Sequence, residues 1–195
     1  MDQMEGLEVV ECTKCPELVE SRSQIVNGDG PEDADVLFVG EAPGKNEDEE
    51  GKPFVGRSGS VLDSELEAVG LSRADIRITN CVRCRPPENR DPSKEELANC
   101  RGYLEHEIDL VDPDVVVTLG KVPGEHLLER DVAVTKESGS VERVELGGDE
   151  RNVLVCLHPA ATLYDRSQEE AFEETIAKAA MMAGVEGGQS QLEDY

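Results

Sequence analysis

Tryptophan is absent from the 195-residue chain, which carries only three phenylalanines and three tyrosines. Its core must therefore be built mainly from aliphatic side chains, and an aromatic set in a loop calls for a reason other than packing. Basic residues are scarce too, 19 against 44 acidic ones, for a formal charge of -25. Phosphate binding needs cations, so this balance argues against a nucleic-acid partner unless basic groups are concentrated locally. No apolar run approaches the length of a membrane span, and the start Met1-Asp2-Gln3-Met4-Glu5-Gly6 lacks the basic and apolar regions of a signal peptide. A soluble, cytoplasmic protein with no membrane association is expected, and no internal repeat is visible.

The acids are dispersed among good apolar patterning, as in Asp35-Val36-Leu37-Phe38-Val39, whereas a disordered acidic tail lacks such a core. A surface of this kind resembles that of salt-adapted archaeal proteins. In high salt the screening length falls to roughly 3 Å at 1 M, so only short-range basic groups at a site count. The length fits one domain, taken as residues 1–183. The remainder, 184–195, holds three Gly and two Gln and reads as a linker-like tail.

Four apolar runs, Val36 to Val39, Ile76 to Val82, Val115 to Leu119 and Val153 to Leu157, read as buried strands. Helical patterns lie between and after them: Gly59 to Val69, Ser93 to Leu110 with the capping-box start Ser93-Lys94-Glu95-Glu96, and Ser167 to Met182. The alternation predicts a three-layer, doubly wound α/β fold with a central four-stranded parallel sheet, whose ligand site lies beyond the carboxyl ends of the strands. Unusual residues do follow the strands: Gly40-Glu41-Ala42-Pro43-Gly44, Asn80 to Cys84, Gly120-Lys121 and His158-Pro159. Residues 132–148 suggest a hairpin around Ser138-Gly139, with a later turn at Gly147-Gly148.

Six cysteines in a reducing compartment point to metal ligands or core thiols before disulfides. Cys12-x-x-Cys15 and Cys81-x-x-Cys84 could be the two knuckles of a zinc ribbon. Against this, Cys81 lies in or at the end of an apolar strand, where neighbouring residues face opposite ways, so Cys81 is plausible as a core thiol. Cys100, on the helix beginning near Ser93, then pairs better with Cys84 to complete a set with Cys12 and Cys15; Cys156 reads as core. Ligand count leaves zinc and a [4Fe-4S] cluster open, with spacing alone leaning to zinc.

Gly40-Glu41-Ala42-Pro43-Gly44-Lys45-Asn46-Glu47-Asp48 with Gly51-Lys52-Pro53-Phe54-Val55-Gly56 resembles the first motif of family 4 uracil-DNA glycosylases. Asn80 to Cys84 with Arg85-Pro86-Pro87-Glu88-Asn89-Arg90-Asp91-Pro92 resembles the second segment, and His158-Pro159-Ala160-Ala161 the third. The resemblance covers most of residues 12–165. It implies a [4Fe-4S] cluster on Cys12, Cys15, Cys84 and Cys100, reversing the lean to zinc. It also implies uracil binding by Phe54 as stacking face, Asn80 as edge reader and Glu47 as the wall that excludes the thymine methyl. His158 would donate to uracil O2 as charge builds on the leaving base, and Glu41 would face the cationic sugar. Related enzymes outside the family place an Asp where this chain has Ala42, so direct water activation from that position is excluded here. Arg83, Arg85, Arg90 and Arg101 are expected to crowd around the cysteines and contact phosphates of single- or double-stranded uracil-containing DNA.

Two rivals are weighed. A covalent uracil-DNA binding relative would need a histidine in the loop after the second motif, and Arg85 to Arg90 contains none. A zinc or iron-sulfur module without glycosylase activity would make the cysteines the whole function. Gln189, Leu192 and Tyr195 have the spacing of a sliding-clamp binding peptide, though with one terminal aromatic where two are usual. The protein is expected to be a monomer.

Overall fold

Alternation along one strand sets up both halves of the core. In a computed structural model, which describes residues 3–185, strand β3 (Val36–Gly40) sends Val36 and Phe38 into one apolar cluster and Leu37 and Val39 into another. Helices α3 (Arg57–Ala68) and α8 (Glu169–Met182) cover the first face with Leu62, Leu66, Phe172 and Ile176. Helices α4 (Lys94–Val111) and α5 (Lys121–Leu128) cover the second with Leu104, Ile108 and Leu127. Three layers result, helices on both faces of one sheet, as the alternation of strands and helices predicts.

The sheet has five strands, not four, and it is mixed. Strands β4 (Arg77–Asn80), β3, β5 (Val115–Leu119) and β7 (Asp149–Cys156) run parallel in that spatial order, and β6 (Val141–Leu146) pairs antiparallel with β7 at the edge. The forecast hairpin exists, but it turns at Gly147-Gly148 and not at Ser138-Gly139. Leu146 faces Asp149 across a two-residue loop whose φ angles are 72° and 121°, a conformation that glycine meets without strain. Ser138 instead follows the short helix α6 (Val134–Glu137), and Gly139 N–H donates to Val155 O at 2.8 Å.

The capping box of α4 forms as its sequence indicates, with Ser93 accepting from Glu96 N–H at 3.1 Å and the Glu96 carboxylate accepting from Ser93 N–H at 2.8 Å. Ahead of the main sheet lie a small hairpin, β1 (Gln3–Glu5) and β2 (Glu8–Glu11), and the short helix α1 (Pro16–Ser21). Asp29 then bridges to Ile78, N–H to O at 2.9 Å in both directions, so this segment covers the β4 edge. No helix among the described residues is long and apolar enough to cross a membrane. The tail reading built on Gln189, Leu192 and Tyr195 falls outside the described residues.

Candidate active site

The parallel strands end side by side, and their following residues converge on one pocket of about 190 Å³ lined by Glu41, Ala42, Glu47, Phe54, Ser58, Asn80 and His158. Glu41 and Ala42 follow β3, Asn80 ends β4 and His158 follows β7. All five residues expected to bind uracil or act on it therefore share one wall-to-wall space. Ser58, in the first turn of α3, is an addition; its place in Gly56-Arg57-Ser58-Gly59, directly after the first motif, was the available signal.

Close approach fixes the floor. A Cβ on Gly40 would stand 2.4 Å from Asn80 Oδ1 and 2.4 Å from the Phe54 ring, so only glycine lets these two side chains meet there. Phe54 itself takes left-handed backbone, φ 52°, with its carbonyl held by Arg73 Nη2 at 2.7 Å. Its ring lies 5.8 Å from the His158 ring, tilted by 32°. Asn80 is only 3 % exposed, yet no group among the described residues engages its side-chain amide. An amide left open to the pocket suits a site that a polar ligand completes.

His158 Nδ1 accepts from Ala160 N–H at 3.0 Å, which leaves the proton of the neutral ring on Nε2. Burial lowers the pKa of this histidine, so it stays neutral at physiological pH and offers an N–H without adding a charge. Glu41 moves the other way. Burial, a hydrogen bond to Asp91 and the Asp91 charge push it up to about 7. Glu47 is also raised, chiefly by burial.

Cys12, Cys15, Cys84 and Cys100 line a second, apolar pocket between α1 and α4, with Leu18, Val82 and Tyr103. All four are free thiols. Arg22 Nη1 donates to Cys84 Sγ at 3.1 Å, and Asn99 Nδ2 lies 3.6 Å from Cys15 Sγ. Burial raises the thiols of Cys15, Cys84 and Cys100, the last up to about 12. Among the described residues no group of three or more Cys, His, Asp or Glu is spaced to close on a single ion. Cys81 is fully buried in the α4 face of the core, opposite in direction to Asn80, and Cys156 lies in the α8 face.

The expectation that four arginines face phosphates is corrected for Arg83. Arg83 is 1 % exposed and donates from Nη2 to Glu107 Oε2 at 2.6 Å and from Nη1 to Leu7 O and Asn27 Oδ1, so it cannot reach a phosphate. Arg101 is not in the lining of the four-cysteine pocket; it turns toward α5, bonding Glu105 at 2.7 Å and the His126 carbonyl. Arg90 is held by Glu96 and Glu17. Arg85 alone of the four has no carboxylate partner among the described residues, its Nε donating to Asn89 Oδ1 at 2.7 Å. Of the remaining histidines, His106 is exposed, whereas His126 is half-buried with its pKa lowered to about 4, mainly by burial.

Comparison with known proteins agrees with this geometry. The sequence model of the Uracil DNA glycosylase superfamily matches residues 27–180. A type-4 uracil-DNA glycosylase of Archaeoglobus fulgidus is 38 % identical over 192 residues, covering 96 % of this chain and 95 % of that relative. Proteins of the same name from Sulfurisphaera tokodaii and Thermotoga maritima are each 40 % identical, covering 94 % and 92 % of this chain and 86 % and 93 % of the relatives. With the family model spanning most of its length and such relatives aligned from end to end, the chain belongs to the type-4 branch of the uracil DNA glycosylase superfamily.

Proposed function

We propose that this protein is a monofunctional DNA glycosylase that takes uracil out of DNA and hydrolyses its N-glycosidic bond, leaving an abasic site for base excision repair. The observation that carries the reading is the coexistence, in one pocket, of an aromatic face, a buried amide without partners and a neutral histidine whose Nε2–H is available. A uracil flipped out of the stack would lie on Phe54. Asn80 would accept from N3–H and donate to O4, a pattern that cytosine reverses. His158 Nε2–H would donate to O2, where negative charge collects as the C1′–N1 bond breaks and its electron pair leaves with the base. Glu41 would face the cationic sugar, and Glu47 would wall off the position of a thymine methyl.

The four thiols suit a [4Fe-4S] cluster, since they surround an apolar pocket and the Arg22 and Asn99 N–H groups are aimed at two of the sulfurs. When bound, the cluster would tie the N-terminal segment to the loop after β4 and to α4. The test is iron content: Cys100→Ala should release iron and Cys81→Ala should not, and the reverse would restore the paired-knuckle zinc reading.

DNA would lie across the pocket mouth, where Leu163 and Tyr164, 42 % and 90 % exposed in the short helix α7 (Ala161–Tyr164) just past His158, would fill the gap left by a flipped base, and Arg85, without a carboxylate partner among the described residues, would be open to a phosphate. A monomer, with residues 1–183 as one domain, is the reading taken from the sequence. The acidic surface suits a salt-rich cytoplasm, and the tail is read as a clamp peptide on its spacing alone. Incubation of iron-replete protein with a single-uracil oligonucleotide in high salt, followed by alkaline cleavage, should cut at the uracil; an intact strand would overturn the proposal.

A further inference from the structure

Glu47 and Asp48 are neighbours in the short helix α2 (Lys45–Glu50), but only Glu47 lines the pocket; Asp48 lies outside it and is 2 % exposed. Six residues make a helix too short to hold its own place in water, so α2 sits where its ties put it. Those ties run to the strap 22–24, directly after α1. Ser23 N–H donates to Asp48 Oδ1 at 2.8 Å and to Oδ2 at 3.1 Å, and Gln24 N–H donates more weakly to Oδ1 at 3.5 Å. Gln24 Nε2 donates to the Asp48 and Glu49 carbonyls at 2.8 and 3.2 Å, closing the end of the helix. Gly51 makes room for that contact: its φ is 73°, and a Cβ there would stand 2.6 Å from Gln24 Oε1.

The strap is anchored at its other end as well, where Arg22 donates to Cys84 Sγ at 3.1 Å and to the Cys12 carbonyl at 2.8 Å. A continuous path of hydrogen bonds and chain therefore leads from the cysteine pocket to Asp48, one residue from the pocket wall. Glu47 has little slack beside it: its carbonyl accepts from Gly51 N–H at 2.7 Å, and a Cβ on Gly44 would stand 2.9 Å from its Oε2. A buried carboxylate is ordinarily compensated by a cation, as Glu107 is by Arg77 and Arg83. Asp48 has no Lys or Arg partner among the described residues, and the N–H groups of the strap take that place. Its carboxylate contributes a tie between two segments where Glu107 contributes a charge.

We propose that Asp48 is a positioning residue for base selection: it fixes α2 against the strap 22–24 and so holds Glu47 where a thymine methyl would enter the pocket. This rests on the uracil-release reading given above, in which Glu47 is that wall. With the tie cut, α2 is free to shift, the wall recedes and the methyl group is admitted. Uracil carries no group at that position and loses less, so selection must change more than rate.

The experiment gives the full chain two oligonucleotides, identical except for one uracil or one thymine in a strand otherwise free of both, and follows single-turnover release by alkaline cleavage. Asp48→Ala should lower the ratio of uracil to thymine release about ten- to a hundredfold. Gln24→Ala keeps the carboxylate and removes only exposed contacts, so it should lower the ratio about two- to tenfold in a protein that folds as before. Amide hydrogen exchange over residues 44–51 should quicken in both variants while β5 and β7 keep their protection. Glu47→Ala should itself relax selection, and adding Asp48→Ala to it should change the ratio no further. Thymine as inert to both tie variants as to the wild type, or release of the two bases lowered in equal proportion, would overturn the proposal. Selection left intact in Glu47→Ala would instead remove the wall, and this role with it. A wild type that releases no uracil would sink the activity itself.

Discussion

Two places in the molecule bury polar side chains, and they treat them in opposite ways. Between β4 and α4, Glu107 is wholly buried and each of its carboxylate oxygens is taken by a guanidinium at 2.6 Å, Arg77 on one side and Arg83 on the other. In the pocket a few ångströms along the same strand, the Asn80 amide and His158 Nε2 are left without partners among the described residues. Charge is compensated where the fold needs it. Hydrogen-bonding capacity is left open where a ligand would supply the missing half. Arginine spacing near the cysteines could not distinguish these uses, because the carboxylate that claims Arg83 lies 24 residues further along the chain.

The contrast predicts separable losses. Glu107→Gln should cost about 3–5 kcal/mol of unfolding free energy, since one change strips compensation from two buried cations. Urea unfolding at neutral pH reads this directly, and a shift below about 1 kcal/mol would mean that the two arginines find other partners. His158→Ala should do the reverse, lowering single-turnover uracil release by about 10²–10³-fold with thermal stability unchanged. An unaltered rate would remove His158 from the reaction. Asn80→Asp belongs beside it: the exchanged donor pattern should weaken uracil release, and wild-type activity would reject the edge-reading role.

The smallest expected effect sharpens the comparison from inside the pocket. Glu41 is raised to about 7 by burial and Asp91, so its contribution to stability is present below the ordinary carboxylate range and is lost as pH climbs through 7. Glu41→Gln is neutral at every pH and escapes that loss. Its melting temperature should therefore exceed that of the wild type by roughly 2–4 °C at pH 8 and match it near pH 4. Equal melting curves at both pH values would mean that the ionised carboxylate costs the fold nothing.

Much of this was legible in the residues because the signals are local. Continuous apolar runs marked the parallel strands, and Ser93 with Glu96 marked the start of α4 to within a residue. Period-two geometry separated Asn80 from Cys81, and the structure sends the first to the pocket and the second to the core. What stayed hidden depends on distant partners. The extra strand β6 falls within the hairpin expected over residues 132–148, where two Gly-containing turns compete; the pairing of Leu146 with Asp149 decides between them. Nothing near Arg22 or Asp91 in the sequence reveals that one reaches Cys84 and the other Glu41.

The Asp29–Ile78 bridge has a bearing on how this protein could fail. Strand β4 would otherwise be an open sheet border, offering unpaired N–H and C=O groups to any neighbouring chain. The segment that closes it follows directly on the cysteine-bearing stretch, with Arg22 bonding the Cys12 carbonyl at 2.8 Å and the Asp48 carboxylate accepting from Ser23 N–H at 2.8 Å. At the opposite border, β6 carries Glu142, Arg143 and Glu145, charges that discourage strand addition. One border is guarded by its own side chains and the other by a borrowed strip of chain. Loosening the cysteine centre would uncover the unguarded one, so damage there would end in self-association as well as lost repair.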